Sequence, residues 1–88
     1  MEKPYTEKVD NQGGGYKKLT DIALVAYLQC QGFKIKDIQK DRDKSIFWFD
    51  DDEKLAKETL RFFNHEAVVD PLNFSETLRN LRSYAKQS

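Results

Sequence analysis

The chain has 88 residues, 39% of them apolar and 34% charged, with 15 basic residues balanced by 15 acidic ones. That length allows one small domain and no second core, and a formal charge of zero argues against a protein that coats duplex nucleic acid, where affinity comes from neutralising phosphates. No apolar run approaches the ~20 residues that cross a bilayer, the single Cys30 excludes an internal disulfide, and "MEKPYTEKVDNQGGGYKK" lacks the apolar centre of a signal peptide, so a cytoplasmic protein is expected.

Residues 1–17 contain Pro4, the triplet Gly13-Gly14-Gly15 and few apolar side chains. Such a composition cannot bury enough surface to offset chain entropy, so it reads as a flexible tail ahead of a globular unit at 18–88. Thr20 has the character of a helix N-cap, with Asp21 in the first turn. The helix it opens, "IALVAYLQCQ", carries no charge after Asp21 and should stop before Gly32, a natural left-handed cap. Apolar around most of its circumference, it belongs in the middle of the fold, with Cys30 as a small buried side chain.

Two β-rich runs follow, "FKIKDIQ" at 33–39 and "KSIFWFD" at 44–50, and they read as an antiparallel hairpin. The intervening "KDRD" lacks the Asn-Gly or Gly-X pair of a two-residue loop, which predicts a three-residue loop of Asp41, Arg42 and Asp43 with Lys40 opposite Lys44. In that register one face holds Phe33, Ile35, Phe47 and Phe49. The other gathers Lys34, Lys36, Ile38, Lys40, Lys44, Ile46 and Trp48.

The acids that end the second strand have a helix-start role, since Asp50 and Glu53 stand at capping-box spacing. A helix is expected over about 51–64, with Leu55, Ala56, Thr59, Leu60, Phe62 and Phe63 turned inward. Val68 and Val69 can add a short third strand, and Asp70-Pro71 marks the N-cap and first position of a last helix. That helix carries Phe74, Leu78, Leu81 and Ala85 on one side and a basic strip of Arg79, Arg82 and Lys86 on another. The expected fold is α+β: a central apolar helix, a two-stranded antiparallel hairpin that Val68-Val69 can widen as a short third strand, and two further amphipathic helices.

The stretches "YKKLTDIALVAYLQCQGFKI", "IFWFDDDEKL" and "FFNHEAVVDPLNFSETLRNLRS" together resemble a family of small uncharacterised domains of bacteria and their phages, over about residues 16–84. The resemblance implies a compact intracellular domain of bacterial or mobile-element origin. It implies no activity.

The residues themselves point away from catalysis. His65 is the sole histidine and sits near a helix end, where an imidazole meets terminal carbonyls. Neither a nucleophile elbow nor a phosphate loop is present, and the run of Asp50, Asp51, Asp52 and Glu53 lacks the alternate spacing and glycine of a calcium loop. No cofactor or metal is expected. The mixed hairpin face is the main candidate site: Trp48 with Ile46 and Ile38 inside a ring of Lys34, Lys36, Lys40 and Lys44 suits a protein partner or a second copy. The alternative is single-stranded nucleic acid stacked on Trp48. The strip of Arg79, Arg82 and Lys86 is a secondary candidate for acidic partners.

Overall fold

The computed structural model describes residues 15–87. The expected tail lies outside the described residues as far as residue 14. In chain order the elements are β1 (Tyr16–Leu19), α1 (Ile22–Cys30), β2 (Asp37–Asp41), β3 (Lys44–Asp50), α2 (Glu53–Phe63) and α3 (Pro71–Gln87). The three strands form one antiparallel sheet in the order β1-β3-β2. Both β1 and β2 run antiparallel to β3, so they are parallel to each other, and α1 links them across the intervening strand as a split β-α-β unit.

Helix α1 is the centre of the core. Its residues Leu24, Val25, Ala26, Tyr27 and Leu28 are buried in unbroken succession, and they join Phe47 and Phe49 of β3, Leu55 of α2 and Leu81 of α3 in one cluster. Five consecutive buried positions cover more than a full helical turn, so the sheet, α2 and α3 must each cover a different side of α1. Asp21, not Thr20, caps its start, its carboxylate accepting from the backbone N–H of Ala23 and Leu24. At the other end Gly32 adopts φ 99° as expected. The Phe33 N–H returns to the Leu28 carbonyl and the Gly32 N–H to that of Gln29, a Schellman closure.

Helix α2 ends in the same way without a glycine. His65 takes φ 61°, its N–H donates to the Phe62 carbonyl, and the Glu66 N–H donates to that of Arg61. A side chain in this left-handed region costs about 1–2 kcal/mol, a penalty glycine escapes.

Beyond the α1 cap, four expectations about the strands and α2 need correction, and one about Cys30. The third strand is β1, formed by Tyr16 to Leu19, and not Val68-Val69: Val68 is exposed in the α2–α3 connection, and its carbonyl accepts from the Gln31 side chain. The hairpin loop has two residues, with Arg42 at φ 60° supplying the positive φ that glycine usually provides. Asp41 therefore pairs with Lys44, and Ile38 pairs with Phe47 on the core side. This register places opposite charges across from each other where the expected one set Lys40 against Lys44, and it buries an isoleucine that would otherwise lie among lysines. Third, α2 is capped two residues later than expected, by Asp52, whose carboxylate accepts from the Leu55 N–H at 2.7 Å. Fourth, α2 turns only Leu55 fully inward, with Phe62 partly buried; Ala56, Leu60 and Phe63 lie on an exposed flank. Cys30 is half-buried rather than enclosed, its Sγ 3.7 Å from the Thr77 hydroxyl.

These assignments separate by stability. Leu55→Ala should lower the unfolding free energy by about 2–5 kcal/mol, as for other core leucines, whereas Leu60→Ala, at a side chain 61% exposed, should cost less than about 1 kcal/mol. His65→Gly should stabilise by about 0.5–1 kcal/mol by relieving the left-handed backbone. Urea melts of the three variants against the parent chain measure all of these effects.

Candidate functional site: the open face of the sheet

Strand alternation divides β3 between two environments. Phe47 and Phe49 point into the core; Ile46 and Trp48 point the other way, half-buried, onto a face that no helix among the described residues covers. Register brings Lys18 of β1 beside Trp48 on one flank and Asp37 on the other, with Gln39 beside Ile46, Tyr16 beside Asp50 and Asp41 beside Lys44.

Side chains of this same sheet dress the indole. The Trp48 ring N–H donates to Gln39 Oε1 at 3.1 Å, and the Lys18 ammonium stands 5.6 Å from the ring centroid, within cation–π range. Lys36 Nζ lies 3.5 Å from the Asp50 carboxylate, and Tyr16, Lys36, Asp37 and Trp48 enclose a shallow depression of about 240 Å³. Trp48 thus has its ring N–H and its ring both engaged by exposed polar groups of the sheet. Buried tryptophans usually satisfy their ring N–H, and here a half-exposed one does so as well.

The sequence-derived site is only partly assembled. Trp48, Ile46 and Lys44 share the open face, and Lys36 reaches its edge. Ile38 packs against the core instead. Lys40 lies on the core side of β2, and its ammonium donates to the Ala85 carbonyl in the last turn of α3, which suits a cation at a helix C-terminus. Lys34 is exposed in the connection before β2. Four contributors were not anticipated: Tyr16 and Lys18, which belong to the unexpected strand, and Asp37 and Gln39, which the one-residue change of register turns outward. The Asp41–Lys44 charge pair was the legible clue to that register. The face carries Lys18, Lys36 and Lys44 among Asp37, Asp41 and Asp50, so its charge alternates instead of being uniformly basic.

Arg79, Arg82 and Lys86 line a separate groove with Ile22 of α1. His65 is exposed at the end of α2, in the capping position described above. Among the described residues, no group of three or more His, Cys, Asp or Glu side chains converges as metal ligands would, and no helix is long and apolar enough to cross a membrane.

The family described as Domain of unknown function (DUF5659) matches residues 15–86, from the residue before β1 to the last turn of α3. The chain belongs to the DUF5659 family. The match takes in the whole described fold, so the split β-α-β unit, α2 and α3 together make up the DUF5659 domain of this chain. No curated protein and no solved structure matches it.

One buried polar contact in this DUF5659 domain supplies a pH signature. The Tyr27 hydroxyl donates to Glu58 Oε1 at 2.6 Å, joining α1 to α2, and Arg61 stands 3.8 Å from the same carboxylate. Burial of the phenol, together with the hydrogen bond to Glu58, raises the Tyr27 pKa above the usual phenol value. A raised pKa means the folded state holds the proton more tightly. The contribution is therefore intact below the unfolded value of about 10 and is lost as pH climbs through the folded value. Tyr27→Phe should cost about 1 kcal/mol in denaturant melts near neutrality, and ultraviolet titration should show one phenol that ionises at higher pH than a free tyrosine.

Proposed function

We propose that this DUF5659 domain is a non-catalytic interaction module that binds a protein partner through the open face of its sheet, with Trp48, Ile46 and Tyr16 as anchors. The observation that carries this reading is Trp48 itself, its ring N–H bonded to Gln39 and its ring beside Lys18, on a face that no helix among the described residues covers. A pre-ordered aromatic loses little side-chain entropy on binding, and a rim of polar groups can exclude water around it. The alternating rim of Lys18, Lys36 and Lys44 with Asp37, Asp41 and Asp50 favours a protein surface of mixed charge. A single nucleic-acid strand would meet three carboxylates beside its stacking platform, and the arginines that could assist it line a different groove. The domain acts in the cytoplasm of a bacterium or in the programme of a mobile element, a setting supported by the sequence resemblance.

Trp48→Ala should weaken partner capture by about 30-fold, the effect of a central aromatic anchor, while melting close to the parent chain. Because Trp48 is the sole tryptophan, its emission reports the site directly. Mixed single-stranded oligonucleotide should leave that emission unchanged. A shift that salt reverses would overturn the protein-partner reading in favour of nucleic acid, and capture that survives Trp48→Ala would remove the site from this face.

A further inference from the structure

A second surface has different chemistry. Ile22, at the start of α1, faces Leu78 and Ala85 of α3 across a groove of about 570 Å³, and Arg79, Arg82 and Lys86 stand along it. Ile22 and Leu78 are partly buried against the core, so they form an apolar floor, while the three cations are exposed. None of the three has an ion-pair partner among the described residues, whereas Arg61 has Glu58 and Lys36 has Asp50. Residues 71–88 hold three cations against one anion, so little within α3 itself can neutralise this wall.

The spacing limits what can bind. Arg79, Arg82 and Lys86 fall at i, i+3 and i+7, spreading their charge over about 10 Å of helix axis. A row of this length is matched better by a ligand with several anions along it than by one small anion, which gains full contact only with the nearest of the three. An extended ligand with anions at the same helical repeat can meet all three. The floor of Ile22, Leu78 and Ala85 adds a second requirement, because it gains from apolar side chains and offers nothing to a sugar–phosphate backbone. Carboxylates one turn apart beside an apolar stripe describe one kind of object.

We propose that the α1–α3 groove binds an acidic amphipathic helix of a partner protein, its carboxylates along Arg79, Arg82 and Lys86 and its apolar edge on Ile22, Leu78 and Ala85. This is the helix-in-groove mode of recognition. Arginine suits two of the three positions because its planar fork grips a carboxylate through two parallel bonds. The occupant is not supplied by a second copy of α2, whose exposed apolar flank of Ala56, Leu60 and Phe63 is bordered by Lys57 as well as Glu53.

The test is a nuclear magnetic resonance titration of the whole isotopically labelled chain with a set of helix-stapled peptides. Each carries glutamates at i, i+3 and i+7 beside a leucine stripe, and a matched set replaces glutamate with glutamine. The acidic peptides should shift the amides of Ile22 and of residues 75–86 and leave the Trp48 indole signal in place. Binding should weaken about tenfold or more for the glutamine set and for Arg82→Glu, and both Arg82→Glu and Lys86→Gln, at exposed positions, should melt like the parent chain. The proposal falls if no acidic peptide binds, if glutamine peptides bind equally well, if the shifts map to the sheet, if the protein self-associates through the groove, or if an oligonucleotide moves the same signals at lower concentration. Because the indole resonance reports the sheet face separately, failure at the groove leaves the reading of Trp48 to stand or fall on its own measurement.

Discussion

Everything in this fold answers to one requirement, that a single short helix be kept dry on nearly every side. Residues 24–28 are all buried, and no single neighbouring layer can cover so much of a helix. The sheet, α2 and α3 are the three covers, and each presents its largest apolar side chains to α1: Phe47 and Phe49, then Leu55, then Leu81. The surfaces left over are those that point away from α1. On the sheet that remainder is the Trp48 face, on α3 it is the basic strip, and on α2 it is the flank of Leu60 and Phe63.

What could be read from the sequence follows from how local the signal is. Leu28, Gly32 and Phe33 write a helix ending within a few residues, and Asp70 with Pro71 writes a helix start, its carboxylate accepting from the Asn73 N–H. Those features depend on neighbours along the chain and were legible, as was the α+β class. The register of β2 depends on a turn that puts Arg42 where glycine is usual, so the turn gave no warning and Ile38 and Lys40 were assigned to the wrong face. Strand β1 was hidden for a different reason. Its four residues, YKKL, include two lysines and follow a glycine triplet, and only pairing with β3 makes them a strand.

The candidate site inherits both kinds of information. Trp48 and Ile46 were legible because alternation along β3 admits only two faces and the phenylalanines claim one of them. The rest of the lysine ring was not, because Lys34, Lys36 and Lys40 come from β2 and from irregular chain whose facing depends on tertiary pairing, whereas Lys44 of β3 kept its face. Lys40 shows the cost of reading charge without topology. A residue counted toward a ligand surface instead ties the sheet to the end of α3, while the α3 strip, a property of one helix alone, survived as a continuous surface.

The split β-α-β connection also sets an order of events. Residues 16–19 are synthesised before the other described elements, but their hydrogen-bonding partner is residues 47–50, which leave the ribosome after α1, β2 and the hairpin turn. Closing so long a loop is entropically slow compared with forming the adjacent β2–β3 hairpin. The first strand to emerge is thus the last that can find its place. Until it does, and until Leu81 of α3 arrives, the most apolar helix of the chain is only partly enclosed, so the interval between its synthesis and the completion of α3 is when this domain is most open to mispairing and aggregation.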